Sequence, residues 1–169
     1  MKEYLKKLEW YKWLIIALMT ILNIIIFISS CLPAKESTGE SNLIVNILVN
    51  IINAFKANAI NDSNLSIFSG FIRKLIGHFL LFLLSGIFTT LSIKYLYYDV
   101  KKEFTNFALF SIGFGFLLAV LTEGIQKLVP GRSGEFRDIM IDFSGYLLSS
   151  LILIIIFSLK KTPTMEKEE

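Results

Sequence analysis

The chain has 169 residues, 54% of them hydrophobic, with 17 Lys and Arg against 14 Asp and Glu, a formal charge of +3. The small basic excess is scattered and gathers near the edges of apolar blocks, which excludes a nucleic-acid-binding patch. A single cysteine, Cys31, excludes an internal disulfide, and one cysteine with one histidine argues against a structural zinc site.

Four stretches contain no Asp, Glu, Lys or Arg: Trp13–Ala34, Leu75–Ile93, Phe104–Thr122 and Phe143–Leu159. Each is long enough to cross a bilayer core of about 30 Å as a helix, the form that satisfies its own backbone hydrogen bonds in lipid. The fold expected is all-α: an integral membrane bundle of four transmembrane helices with an additional amphipathic interfacial helix, in one domain over residues 1–169.

In chain order, a basic start (Lys2, Lys6, Lys7, Lys12) leads into a first helix over about 13–30. This helix ends at Ile28-Ser29-Ser30-Cys31, which resembles a lipoprotein processing site. The apolar run is long for a signal peptide, so a retained helix is expected. Residues 33–41 are polar and read as an exposed loop. Over about 42–60, Asn46, Asn50, Asn53 and Lys56 fall three or four apart, the pattern of a helix lying in the interface. A turn at Asn61-Asp62-Ser63-Asn64 precedes helices over about 71–98, 104–127 and 138–159. Residues 160–169 form a charged tail.

With the N-terminus in the cytoplasm, ten Lys and Arg lie near inner helix ends and seven near outer ends. This bias predicts that both termini are cytoplasmic. Trp10, Tyr11 and Trp13, with Tyr95, Tyr97 and Tyr98, suit the inner interface.

The chemistry gathers between residues 121 and 145. Glu123 and Gln126, three apart, share a face at the end of one helix, and Asp138 and Asp142, four apart, share a face at the start of the next. A short connection holding Arg132 and Arg137 makes these helices antiparallel neighbours. Seventeen charge-free residues after Asp142 span about 26 Å, so Asp142 lies near the hydrocarbon edge. Glu123 lies at a similar height, and His78 enters the next helix from the same outer side. Ionisable groups at this depth cost up to roughly 2.5–3.5 kcal/mol each and need partners, supplied by Arg132, Arg137, Lys74 and one another. Taken singly, these residues read as interhelical pairs and caps. Taken together, His78, Glu123, Gln126, Arg132, Arg137, Asp138 and Asp142 read as an outward-facing polar pocket. Gly113, Gly115 and Gly145 read as sites of close helix approach.

The segment Glu123-x-x-Gln126, Pro130-Gly131-Arg132, Asp138, Asp142 and Gly145 resembles the hallmark of the VanZ-like family, which often has Asn where Asp142 stands. The Ser-rich, Pro-containing exit of the first helix (Phe27–Ser37) and Arg73-Lys74 followed by Gly77-His78-Phe79 are similar to further pieces of that family. The resemblance implies a multi-pass protein of the bacterial plasma membrane, similar to one linked to resistance to teicoplanin, a lipid-bearing glycopeptide. Its expected partners are membrane lipids and, further, a lipoglycopeptide or a lipid-linked cell-wall precursor. Three readings stay open: a membrane factor that binds an amphiphile or envelope lipid, an intramembrane enzyme acting on a lipid-linked envelope substrate, and, more weakly, a transporter. No cofactor, metal or nucleic acid is expected, and the oligomeric state is open.

Overall fold

A computed structural model describes residues 9–160, apart from the side chains of 34–41 and 100. The basic start before residue 9 and the tail after residue 160 lie outside the described residues. Five helices carry the fold: α1 (Trp10–Cys31), α2 (Ala34–Phe55), α3 (Leu65–Tyr98), α4 (Phe104–Leu128) and α5 (Phe136–Leu159). Among the described residues there is no strand. All of these helices but α2 are long and apolar enough to cross a membrane.

The bundle is built inside out relative to a water-soluble protein, as a lipid solvent requires. Ile21, Ile24, Ile25 and Ile28 of α1, Phe110, Phe114 and Leu117 of α4, and Ile152, Ile155 and Ile156 of α5 face outward. Much of the seam between helices is small or hydroxylated: Ser85, Thr89, Thr90, Ser111, Ser149 and Ser150 are all buried. Lipid gives apolar side chains no reason to leave it, so helices associate through close packing and hydrogen bonds. The Thr90 hydroxyl donates to Ser150 Oγ at 2.9 Å, and Ser85 donates to Asn23 Oδ1 at 2.7 Å. The contact of α3 with α5 is the most extensive in the bundle. Ile26, Phe82, Ala119 and Tyr146 close the centre.

Several expected boundaries are corrected. Residues 34–41 are helical rather than looped. Pro33 fixes a φ suited to a helix start, and Ala34, Lys35 and Glu36 are good helix formers despite their exposure-prone composition. The helix then stops at Phe55 rather than near residue 60. Asn58 adopts a left-handed φ of 57°, and the Asn53 side chain holds both the N–H and the carbonyl of Ile60 at 2.9 Å. The amphipathic character of α2 holds: Asn42, Asn46 and Asn50 form one exposed stripe, and Leu43, Ile47, Ile51 and Phe55 form another.

Helix α3 begins at Leu65, six residues before the expected start. The pair Arg73-Lys74 therefore lies inside it rather than at its mouth. The segment Arg73–Leu80 is wound as a π-helix, a rare form that recurs at functional sites. Gly113, expected at a helix contact, faces open space, whereas Gly115 lies against the Tyr146 ring.

Candidate functional site

At the end of the bundle where α3 and α5 begin and α1 and α4 end, a cavity of about 430 Å³ opens. Its polar wall includes Lys74, His78, Gln126, Arg132, Asp138 and Asp142; its apolar wall includes Ile26, Ile44, Ile72 and Leu81.

The sequence dictates this convergence through helix periodicity. Helices α3 and α5 run parallel and in register. Lys74 and His78, four apart on the wide π turn, line up along one face of α3. Asp138 and Asp142, four apart, line up on α5. The Lys74 ammonium bonds Asp138 and lies 3.8 Å from Glu135. One turn deeper, His78 Nδ1 and Asp142 Oδ1 are 3.0 Å apart. Below them Gly145 sits so close to α3 that an added Cβ would collide with the Phe79 carbonyl, 3.1 Å from its carbon. A side chain at this position would push α3 and α5 apart where the two rungs meet.

The turn between α4 and α5 follows from its residues too. Arg132 N–H donates to Val129 O at 3.2 Å, with Pro130 between them and Gly131 at φ 78°. That is a type II turn, which takes Pro at its second position and needs positive φ at its third. It projects Arg132 back across the bundle mouth. The guanidinium donates to Gln126 Oε1 at 2.7 Å, Ser29 O at 2.9 Å and Leu32 O at 3.3 Å, joining α4 to the last carbonyls of α1. Partial burial draws the Arg132 pKa below its ordinary value, opposed by the charge of Glu123, yet a guanidinium stays charged at any physiological pH.

Glu123 is 2% exposed. Its Oε1 accepts the backbone N–H of Glu135 at 2.8 Å and so secures the start of α5. Its Oε2 and Asp142 Oδ2 are buried without a hydrogen-bond partner. A ligand atom from each of His78, Glu123 and Asp142 lies within 4.8 Å of the others.

Of the seven residues singled out from the sequence, His78, Gln126, Arg132, Asp138 and Asp142 line the cavity, and Glu123 stands directly behind it. Arg137 is exposed and does not line it. Arg137 precedes Asp138 by one residue, about 100° of rotation around α5, which turns it away from the inward face that Asp138 and Asp142 occupy. Sequence reasoning passed over Glu135 and the Ser29 carbonyl. Only the Ser-rich exit of α1 hinted at the latter.

Four membrane-length helices and a ligand-sized recess at one end define a multi-pass membrane protein with a polar cavity. A family model described as VanZ/LLP1 matches residues 13–157, and the chain belongs to that family. Comparison with curated proteins and with solved structures gave no match.

Proposed function

We propose that this protein sits in a bacterial plasma membrane with both termini cytoplasmic, and that its cavity faces the envelope. There it binds the headgroup of an amphiphile, an envelope lipid or a lipid-bearing glycopeptide. In this way it contributes to teicoplanin resistance or to envelope homeostasis. The observation that carries this reading is the cavity's two-sided lining. Lys74 and Arg132 offer charge-assisted donors to a phosphate or carboxylate. Ile44 and Ile72 offer an apolar wall to the adjoining chain. The volume suits a small-molecule site. The excess of Lys and Arg at the opposite helix ends supports the orientation.

The test is expression in a teicoplanin-sensitive host. The wild type raises the inhibitory concentration, and Arg132→Ala and Asp138→Asn, at matched membrane levels, abolish the rise. Unchanged protection in both variants defeats the pocket reading. In a Cys31→Ser background, a cysteine placed in the Pro130–Arg137 turn reacts with an impermeant maleimide from outside the cell, and labelling only after lysis defeats the orientation. A second reading, an enzyme acting on a lipid-linked substrate, is favoured by the acid–imidazole contact of Asp142 with His78. It requires a changed lipid or precursor in mass spectra of expressing cells, abolished by His78→Gln.

A further inference from the structure

From the convergence of His78, Glu123 and Asp142 we infer a divalent-cation site, selective for a zinc-like ion, at the floor of the cavity. No metal was expected from local spacing, because the three residues lie on three helices and are 19 to 64 positions apart.

Two of the three side chains are essentially removed from solvent, Glu123 at 2% and Asp142 at 1% exposure. Each carboxylate spends one oxygen on the protein: Glu123 Oε1 on the Glu135 N–H and Asp142 Oδ1 on His78. Each keeps the other oxygen buried without a partner. An unpaired buried carboxylate oxygen is costly, and two within one cluster more so. The nearest lysine, Lys74, is bonded to Asp138. A divalent ion supplies the missing partner for both free oxygens and balances their two negative charges.

The geometry is within reach. A zinc ion holds imidazole and carboxylate ligands at about 2.0–2.2 Å, which places the ligand atoms roughly 3–3.5 Å from one another. His78 Nδ1 already stands 3.0 Å from the Asp142 carboxylate that carries the free Oδ2, and one ligand atom from each of the three residues lies within 4.8 Å of the others. Binding replaces the His78–Asp142 hydrogen bond: His78 ligates through a bare Nδ1 and, as the neutral imidazole, keeps its one proton on Nε2. Imidazole with two carboxylates favours zinc over magnesium, which keeps its waters and prefers oxygen ligands alone. Three protein ligands leave a further coordination position. His78 and Asp142 line the cavity, so that position opens into it.

The test uses the full chain in detergent micelles, stripped with chelator and exchanged into chelator-free buffer. Zn²⁺ is titrated against a chromophoric indicator, with no lipid or antibiotic present, so the outcome is independent of amphiphile binding. We expect one ion per chain, not displaced by millimolar Mg²⁺. His78→Gln, Glu123→Gln and Asp142→Asn should each weaken it by at least ~10-fold, while Arg137→Ala leaves it unchanged. Glu123→Gln retains an acceptor for the Glu135 N–H, so it tests the ligand without removing that bond. Cobalt in place of zinc gives visible absorption bands that respond to the same variants. The inference is overturned if the wild type binds no more zinc than His78→Gln, or if millimolar Mg²⁺ displaces it.

Discussion

Replacing Arg132 by alanine removes a side chain that joins the α4–α5 turn to both α4 and the end of α1. Three acceptors lose their donor: Gln126 Oε1, Ser29 O and Leu32 O. A hydrogen bond from a charged donor contributes about 1.5–3 kcal/mol, and a buried acceptor left alone costs about 1–3 kcal/mol. Gln126 is buried but, like Ser29, borders the cavity, so cavity water can replace part of what each loses. The 3.3 Å contact is the weakest of the three. The expected loss is therefore about 2–4 kcal/mol rather than the sum of three full bonds. Arg132→Lys keeps the charge but not the planar fork, and should recover about half. Reversible unfolding in mixed dodecylmaltoside–dodecyl sulfate micelles, followed by circular dichroism, measures both. If Arg132→Ala unfolds within about 0.5 kcal/mol of the wild type, the guanidinium is not a tether, and the physical account of the Pro-Gly-Arg turn is wrong.

Three other substitutions probe the helix seams. Gly145→Ala gains about 1 kcal/mol of helix propensity but drives a methyl into the Phe79 backbone. A net loss of roughly 1–2 kcal/mol is expected in the same assay, and a gain would show that α3 and α5 are not in tight contact there. Lys74→Met should destabilise by about 3 kcal/mol, because it strands the buried Asp138 carboxylate, and Asp138→Leu by less, because Glu135 remains 3.8 Å from Lys74. The double variant should be less damaged than either single one, and additive losses would argue that the two groups do not pair. Asn23→Leu removes the link from α1 to Ser85 and Thr89. Bonds of this kind inside a membrane contribute about 0.6 kcal/mol and rarely more than about 1.7, so unfolding should shift by about 1 kcal/mol. A loss much above that would point to an additional role for Asn23.

The four spans were legible because charge-free runs of bilayer length leave little alternative. Helix ends were less legible, and for identifiable reasons. Arg73 and Lys74 look like a membrane edge, yet Lys74 is tolerated within α3 because Asp138 and Glu135 meet it from α5, a contact that no local pattern reveals. Residues 34–41 look like a loop because composition reports exposure, not conformation. Within the site, the i,i+3 and i,i+4 spacings correctly grouped Glu123 with Gln126 and Asp138 with Asp142. The parallel register that sets His78 against Asp142 depends on Gly145 and on the π turn, and periodicity alone does not resolve it. Arg137 shows the opposite failure: being adjacent in sequence to a buried acid says nothing about facing the same way.

The layer of Phe82, Ala119 and Tyr146 beneath the cavity, with Phe107 deeper still, has a bearing on what a single copy of this chain can do. These side chains are between 0% and 3% exposed. They fill the centre of the bundle below the cavity, whose lining comes from the end of the bundle where α3 and α5 begin. Liposomes carrying isolated copies should therefore hold a proton gradient as tightly as bare vesicles do.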